Sequence, residues 1–319
     1  SMLSEAMREG AQTVLVTGAA GFIGSHLVDL LLAQGRRVIA LDVARDTPNL
    51  AHHLTPRNER LSLVTADLRG DFEAALADSR PDAVVHLAAQ ISVPRSLEDP
   101  IADLDLNLRA SVRLLQWSAA VGARRFVFAS SAAVYGEPAK VPVSEDMADQ
   151  PSSPYGASKR ACELYLGCIG PRLGIETAAL RLFNVYGPRQ DPGSPYSGVI
   201  SLFIARARER APLRVLGDGQ QTRDFVYVGD VARAFARALD VPKVGGLICN
   251  IGTGVTVSIA GLAGAVIGAA ESDSPIVHGP ARLGDIVHSC AECSRAHDRL
   301  GFVAEVSLTE GLRRTLAAP

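Results

Sequence analysis

The chain has 319 residues, of which 47% are hydrophobic and 21% are charged. These fractions are ordinary for a globular protein and exclude a disordered, collagen-like or coiled-coil chain. At about 150 residues per domain, the length predicts two domains or one large α/β unit with an elaborated end. With 32 basic and 34 acidic side chains the formal net charge is −2, so no broad basic field is available for a nucleic-acid partner.

Cysteine usage and apolar runs indicate an ordinary cytoplasmic protein. Five cysteines, an odd number, do not predict a disulfide framework. Cys290 and Cys293 form one C-x-x-C pair, without the second ligand pair or the strand–helix context that zinc or redox chemistry needs, so we expect no metal. The N-terminal residues lack the apolar run of a signal peptide. The charge-free stretch 244–270 is interrupted by a glycine-containing turn, so it predicts no membrane span.

Short apolar runs alternate with helical patterns through the first half of the chain. Because most of these runs are continuously apolar, they are typical of parallel strands buried on both faces. The predicted strands are 13–17, 37–42, 61–66, 83–86, 125–130 and 176–183, and the predicted helices are 22–34, 101–120 and 154–168. This alternation predicts an α/β fold of the Rossmann type, a doubly wound parallel sheet with helices on both sides.

The pattern changes after residue 183. Segment 186–198 holds three prolines and three glycines, which predicts a loop. A helix over 200–209, a strand over 213–216 and further short elements follow. We interpret 11–185 as a Rossmann-type domain and 186–319 as mainly a smaller lobe, with segments near 224–252 returning to the main sheet.

A glycine-rich turn follows the first predicted strand and precedes the first predicted helix. Its glycines, Gly18, Gly21 and Gly24, are spaced G-x-x-G-x-x-G. Gly18 permits a sharp turn off the strand, Gly21 lets a pyrophosphate approach the helix N-terminus, and Gly24 lets the helix pack against the sheet. A glycine triplet alone is weak evidence, so the strand before it and the helix after it carry the interpretation as a dinucleotide site.

Acidic residues end the second and third predicted strands. The carboxylate of Asp42 suits the two hydroxyls of a ribose and repels a 2′-phosphate, which favours NAD over NADP. Arg45 is close enough in sequence to leave NADP tolerance open. Asp67 is expected to reach the adenine amino group, because ligands of such sheets bind at the carboxyl ends of the strands.

A tyrosine and a lysine lie four residues apart in a predicted helix that Ser153 caps, so Tyr155 and Lys159 share one helix face. For the phenol to act as a base near neutral pH, its pKa must fall from about 10 to about 7. A nearby ammonium and the positive nicotinamide are expected to lower it. Ser131, at the end of the fifth predicted strand, offers a hydroxyl to a substrate oxygen beside the phenol.

Together these motifs resemble those of the extended short-chain dehydrogenases/reductases of the nucleotide-sugar epimerase/dehydratase kind. The resemblance runs from about residue 14 to about residue 301 and rests on TGAAGFIG (17–24), SS (130–131), YGASK (155–159), RLFNVYGP (181–188) and RDFV (223–226). It implies a tightly held NAD, a catalytic set of Ser131, Tyr155 and Lys159, and a homodimer formed through helices 101–120 and 154–168. The cofactor-binding residues expected are Gly18, Gly21, Phe22, Ile23, Gly24, Asp42, Asp67, Leu68, Leu87, Ala88, Ala89, Asn107, Tyr155, Lys159 and Phe183.

The residues after Ser131 bear on the reaction. Ala132 and Ala133 stand where dehydratases of this family carry acidic residues and decarboxylases carry a glutamate, and neither alanine can perform acid–base chemistry. The resemblance then points to UDP-hexose 4-epimerases. It implies that Tyr155 takes the C4 hydroxyl proton, that the C4 hydride passes to NAD⁺, that the 4-keto sugar turns, and that hydride and proton return on the other face.

The resemblance also implies how a UDP-sugar is bound. Arg223 and Arg282 match arginines that grip the diphosphate, and Asp285 matches a carboxylate that holds a ribose hydroxyl. Ser289 matches a position where a bulky aromatic residue excludes a 2-acetamido group, so its small side chain predicts activity on UDP-N-acetylglucosamine/galactosamine, with UDP-glucose/galactose as further candidates. The remaining substrate-binding residues expected are Ser92, Ser131, Ala132, Tyr155, Asn184, Val199, Val215 and Leu216.

Alternatives stay open at this point. A UDP-uronate 4-epimerase or a nucleotide-sugar reductase would share the scaffold, although the uronate reaction needs a group for the C6 carboxylate that the sequence does not place. A non-catalytic dinucleotide-sensing protein would share the glycine-rich turn but would not need Ser131, Tyr155 and Lys159.

Overall fold

A seven-stranded parallel sheet forms the centre of the molecule, seen in a computed structural model that describes residues 12–147, 149–193 and 198–319. The N-terminal segment 1–11, in which no signal peptide was expected, and residues 194–197 of the predicted loop lie outside the described residues. The strands are β1 Thr13–Thr17, β2 Arg37–Asp42, β3 Leu61–Thr65, β4 Ala83–His86, β5 Arg125–Ser131, β6 Glu176–Leu182, β7 Asn184–Tyr186, β8 Leu213–Leu216, β9 Thr222–Arg223, β10 Phe225–Tyr227, β11 Leu247–Ile251, β12 Val257–Ser258 and β13 Ile276–Gly279.

The order of the sheet is β11-β6-β5-β4-β1-β2-β3, and all neighbouring strands are parallel. This confirms the predicted Rossmann-type α/β fold. The strand order reverses between β1 and β4, and the carboxyl ends of strands at such a switch point form a ligand-binding crevice. The predicted ends of β3, β5 and β6 differ from the observed ends by one residue.

Helices flank the sheet on both faces. They are α1 Phe22–Ala33, α2 Phe72–Ala75, α3 Val93–Glu98, α4 Pro100–Leu104, α5 Ala110–Ala120, α6 Pro154–Leu173, α7 Val199–Arg208, α8 Val228–Asp240, α9 Ile259–Ala269, α10 Ser294–Leu300 and α11 Leu308–Ala317, with 3₁₀ turns at Pro48–His53 and Ala132–Tyr135. The predicted helix 154–168 extends to Leu173, where Gly174 adopts a left-handed conformation (φ 71°) and ends it.

The predicted helix 101–120 is not one regular α-helix. A π-helical segment, Asp105–Arg109, separates α4 from α5. Hydrophobic periodicity does not reveal such a widened turn, which often marks a functional site. The buried Asn107 lies in this segment.

Two apolar layers enclose the sheet. One layer contains α1 and α8 residues such as Leu31 and Phe235, and the other contains α5 and α6 residues such as Leu114 and Leu166. A third apolar cluster lies in the C-terminal lobe and joins α7, α9 and α11. β11 pairs with β6 and so belongs to the main sheet, whereas β8 and β13 form a small parallel pair outside it. Among the described residues, no helix is long and apolar enough to cross a membrane.

Candidate active site

The glycine-rich turn between β1 and α1 is shaped by close backbone contacts. Gly18 has a positive φ of 65°, and a Cβ atom there would lie 2.9 Å from the Ala88 nitrogen. A Cβ atom on Gly24 would lie 2.1 Å from the Gly18 carbonyl oxygen. No side chain caps α1 at Gly21, and the first turn of the helix lines the cavity beside it. Backbone N–H groups at such a helix N-terminus can bind an anion.

A buried polar chain holds the end of β4 beside this turn. The Thr17 hydroxyl accepts hydrogen bonds from the Leu87 and Ala88 N–H groups at 3.1 and 3.2 Å. The same hydroxyl lies 2.6 Å from Nδ1 of His86, whose Nε2 lies 2.8 Å from the Ser111 hydroxyl. Burial lowers the pKa of His86 to about 3. This histidine is therefore neutral at neutral pH and acts as a structural link.

The two acidic strand ends are held by different partners. The carboxylate of Asp42 accepts hydrogen bonds from the Ala20 N–H at 2.9 Å and the Ala44 N–H at 3.0 Å, which ties β2 to the glycine-rich turn. Asp67 is paired with Arg69 at 2.7 Å, and hydrogen bonds from Arg69 lower the pKa of Asp67.

These elements surround a cavity of about 480 Å³, a size that suits a cofactor site. Among the predicted cofactor-binding residues, those on its wall are Gly18, Gly21, Phe22, Ile23, Gly24, Asp42, Asp67, Leu68, Leu87, Ala88, Ala89, Tyr155, Lys159 and Phe183. Asn107 is not on the wall. It lies behind it, where its side chain bonds the Gln90 backbone N–H at 2.8 Å and the Gln90 carbonyl at 2.9 Å. The glycine cradle and the uncapped helix fit a dinucleotide.

The tyrosine and lysine of α6 also line this cavity. Ser153 caps the helix by accepting a hydrogen bond from Gly156 at 3.1 Å. The Lys159 ammonium donates to the Ala129 carbonyl at 2.8 Å and lies 5.8 Å from the centre of the Tyr155 ring. Ser131 ends β5 on the opposite side and accepts a hydrogen bond from the Ala133 N–H at 3.1 Å. The three predicted catalytic side chains therefore converge.

Burial has the largest influence on the pKa values of Tyr155 and Lys159. It raises the pKa of Tyr155, while a hydrogen bond from Ser131 acts in the opposite direction. It lowers the pKa of Lys159 to about 8, although neighbouring groups oppose this shift. In the chain without cofactor, desolvation of the phenolate therefore outweighs the favourable contacts, whereas the sequence-based prediction combines the ammonium with the positive nicotinamide.

A second cavity, of about 370 Å³, adjoins the first. Ser131, Tyr155 and Phe183 line both cavities, so the phenol stands at their junction. The other predicted substrate-binding residues on the wall of the second cavity are Ala132, Asn184, Arg223, Asp285 and Ser289.

The charged group of the second cavity is an ion pair. Arg223 donates to Asp285 at 2.8 Å and to the Thr222 carbonyl at 2.8 Å. The neighbouring Asp224 is fully buried and accepts hydrogen bonds from Thr253 at 2.9 Å and Ala291 at 3.0 Å. Asp224 thereby holds the segment containing Ser289 against the strand that presents Arg223.

Several predicted substrate-binding residues lie away from this wall. Ser92 is buried and caps α3 by accepting a hydrogen bond from Arg95 at 3.1 Å. Val199 and Val215 pack in the apolar cluster of the C-terminal lobe, with Val215 fully buried. Leu216 ends β8 and Arg282 lies on an exposed loop, and neither reaches the cavity.

Sequence reasoning missed two buried charges beside the site. Glu163 is paired with Arg181 at 2.7 Å and accepts a hydrogen bond from Ser130 at 2.6 Å. Glu163 lies four residues after Lys159 on one helix, and this spacing would have indicated that the two side chains share a helix face. Asp103, four residues before Asn107, is also buried. Other wall residues that were not predicted include Ile91, Gln190, Tyr135 and Ile286.

A cluster of potential metal ligands near α1 is explained by hydrogen bonds and an ion pair within the chain. Among the described residues, Asp29, His52 and His53 form such a group of three. One carboxylate oxygen lies 2.8 and 2.6 Å from the two imidazoles, and the other accepts from Arg189 at 2.7 Å. These are hydrogen-bond lengths, and the arginine supplies the positive charge, so the cluster ties α1 to its neighbouring loops. Cys290 and Cys293 are not part of this group.

Comparisons with known proteins agree with this geometry. Residues 14–252 match the NAD dependent epimerase/dehydratase family. The UDP-glucose 4-epimerase of Mycolicibacterium smegmatis is 42% identical over 305 residues, which cover 95% of this chain and 96% of that protein.

Solved structures show the same likeness. A UDP-N-acetylglucosamine 4-epimerase from Methanobrevibacter ruminantium, in complex with UDP-N-acetylmuramic acid, superposes with a TM-score of 0.89 at 36% identity over 96% of this chain and 97% of that one. The UDP-glucose 4-epimerase of Thermus thermophilus in complex with NAD gives 0.85 at 38% identity over 95% and 97%. With its glycine cradle, its Ser–Tyr–Lys convergence and these likenesses, the chain belongs to the NAD-dependent epimerase/dehydratase family, as an enzyme of the UDP-sugar 4-epimerase group.

Proposed function

We propose that the protein interconverts UDP-N-acetylglucosamine and UDP-N-acetylgalactosamine at C4, with UDP-glucose and UDP-galactose as further substrates. The observation that carries the proposal is the junction of the two cavities, where Ser131 and Tyr155 face both the cofactor site and the second cavity. A hydroxyl held there can exchange a proton with the phenol while its carbon faces the cofactor.

The roles of the chain's own residues follow from this placement. Tyr155 is the base that takes the C4 hydroxyl proton and the acid that returns it. Ser131 orients that oxygen through its hydroxyl, and Lys159 places an ammonium beside the phenol and the bound ribose. NAD, when bound, takes up the C4 hydride and gives it back, so no external reductant is consumed.

Inversion requires that the sugar turn while the nucleotide stays fixed. Arg223 can bind the diphosphate through charge-assisted hydrogen bonds, and its present partner Asp285 can accept a ribose hydroxyl. We propose Asn184 as a further contact to the phosphate region, and Ala132 as a small wall beside the sugar. The other predicted contacts lie away from the second cavity and would reach the substrate only after a movement of the protein loops. They are Ser92, Val199, Val215, Leu216 and Arg282.

The wall of the second cavity favours a neutral sugar. Among the described residues on this wall, Arg223 is the cation, and it is already paired with Asp285. A uronate would bring a carboxylate without a partner into a site lined by Ile91, Ala132 and Ile286. Desolvating an unpaired carboxylate is costly, so a UDP-uronate is the less suitable substrate.

Ser289 is proposed as the residue that admits the acetamido group. It lines the second cavity and is 9% exposed, so a larger side chain at this position would project into confined space. Proton NMR of the reaction with UDP-N-acetylglucosamine, UDP-glucose and their 4-epimers, without added cofactor, tests the proposal. Formation of the 4-epimer supports it, and the absence of conversion for all four sugars refutes it.

Two variants then test the sugar preference. Ser289→Tyr is expected to lower kcat/KM for the acetylated sugars by at least tenfold more than for the plain hexoses. Ser289→Ala keeps a small side chain and is the control, for which the ratio of the two values stays near that of the wild type. An equal loss on both sugar types in Ser289→Tyr would show that this position does not select the sugar.

We also propose a homodimer formed through the helical segments 101–120 and 154–168. Apolar side chains on these elements and just before them are strongly exposed: Leu97 at 61%, Ile101 at 67% and Leu164 at 52%. Exposed apolar surface of this kind is typical of an interface between copies.

A further inference from the structure

A buried aspartate lies behind the catalytic pair. Asp103 is 1% exposed, at the end of α4 where the π-helical segment begins. Its Oδ1 accepts hydrogen bonds from Gln90 at 3.0 Å and from Asn107 at 3.1 Å. Its Oδ2 is buried without a hydrogen-bond partner. A buried carboxylate oxygen in this state is costly and calls for an explanation.

The hydrogen bonds of Asp103 lead toward the catalytic residues. Asn107 Nδ2, which it orients, also approaches the Ser158 hydroxyl at 3.4 Å, and that hydroxyl donates to the Tyr155 carbonyl at 3.0 Å. Helices α4 and α6 are packed against each other. The carboxylate therefore belongs to the same buried network as the helix turn that presents Tyr155 and Lys159.

The other ionisable groups near Lys159 offer it little negative charge. Glu163 is neutralised by Arg181 at 2.7 Å and Arg160 at 3.1 Å. Burial raises the pKa of Cys162 to about 11 and lowers the pKa of His86 to about 3, so both are uncharged at neutral pH. Among the described residues, Asp103 is thus the acidic side chain that influences Lys159 electrostatically and has no cationic partner of its own.

We propose that Asp103 is a positioning residue for the epimerisation: its charge keeps the buried Lys159 protonated, and its hydrogen bonds hold Asn107 and Gln90 behind the cofactor. The unpartnered oxygen then has a role, because a buried carboxylate without its own ion pair favours the charged form of a buried ammonium in its surroundings. Burial lowers the pKa of Lys159 overall, and the Asp103 carboxylate is one of the neighbouring groups that oppose this shift. Burial raises the pKa of Tyr155, and the Asp103 carboxylate acts in the same direction. The catalytic part of this inference rests on the proposed function.

The lysine content of the chain permits a direct measurement. Lys140, Lys159 and Lys243 are its three lysines, and the first and last are exposed. In protein labelled with ¹³C-lysine and saturated with NAD, the Cε resonance of Lys159 therefore titrates apart from the other two. Lys140→Arg and Lys243→Arg assign the spectrum.

Asp103→Asn removes the charge and keeps an oxygen for Gln90 and Asn107. We expect the Lys159 midpoint in this variant to fall by about one pH unit, because an ammonium that loses a nearby anion releases its proton more easily. The alkaline limb of kcat is expected to move to lower pH by the same amount. Asp105→Asn is the control, because it deletes the same charge two residues away on a side chain that is 41% exposed and paired with Arg109; it should leave the midpoint unchanged.

A Lys159 midpoint that is equal in wild type and Asp103→Asn refutes the electrostatic role. Asp103→Ala, which deletes charge and hydrogen bonds together, should lower the midpoint similarly and additionally weaken NAD binding at least threefold. If it leaves NAD binding unchanged, the positional role is wrong. The NMR titration needs no turnover, so it tests the electrostatic role of Asp103 even if the protein converts no UDP-sugar. A lack of conversion would refute the proposed function instead.

Discussion

The buried ion pair of Glu163 and Arg181 makes a quantitative prediction about stability. The side chains are 0% and 3% exposed, and they are joined by two hydrogen bonds of 2.8 and 2.7 Å. Arg181→Met would leave the glutamate buried with only the more exposed Arg160 as a charged partner, 3.1 Å away. Removing one partner of a buried pair costs about 3–5 kcal/mol, because the remaining charge is desolvated without compensation.

The matched control is an exposed ion pair. Arg313 is 67% exposed and pairs with Glu310 at 2.7 Å. Pairs of this kind add little to stability, because water screens the charges. Arg313→Met is therefore expected to leave the free energy of unfolding close to that of the wild type.

Urea unfolding followed by circular dichroism measures both variants, with the difference in free energy obtained from the midpoint and the slope m. The double variant Glu163→Met/Arg181→Met should be more stable than Arg181→Met alone, since an apolar pair has no buried charge to leave unpaired. The reasoning is refuted if Arg181→Met costs no more than Arg313→Met, or if the double variant is the less stable of the two.

Three further predictions concern the site and the assembly. Tyr155→Phe should lower kcat by at least about 10²-fold, because it removes the acid–base group, while NAD and UDP-sugar binding measured by calorimetry stay near wild type; full activity would exclude Tyr155 as the base. Gly24→Ala should lose NAD binding in a fluorescence titration, because its Cβ would lie 2.1 Å from the Gly18 carbonyl oxygen. Gly264→Ala, a helical position with nothing within 4 Å, is its control and should be neutral or stabilising by up to about 1 kcal/mol; equal NAD affinity in both variants would contradict the steric argument. Leu164→Arg should convert a dimer to a monomer in sedimentation velocity, whereas Leu202→Arg, at a 41% exposed position of α7, should not; a wild-type monomer would end the dimer proposal.

Much of the architecture was predictable because its signals are local. Continuous apolar runs identify strands buried on both faces, and the spacing of Gly18, Gly21 and Gly24 identifies the turn after β1. Tyr155 and Lys159 share a face because they lie one helical turn apart. These features depend on neighbours in the chain, so the amino-acid order by itself determined the Rossmann-type sheet, the glycine-rich turn and the shared helix face of Tyr155 and Lys159.

The tertiary structure decided what depends on residues distant in the chain. The pairing of Arg223 with Asp285 joins positions 62 residues apart, and the burial of Val215 results from packing between helices of the C-terminal lobe. The π-helical segment that carries Asn107 leaves no periodicity signal. The pKa of Tyr155 is raised because its phenolate is desolvated. Desolvation depends on how much water the assembled cleft excludes, and no spacing of residues encodes it.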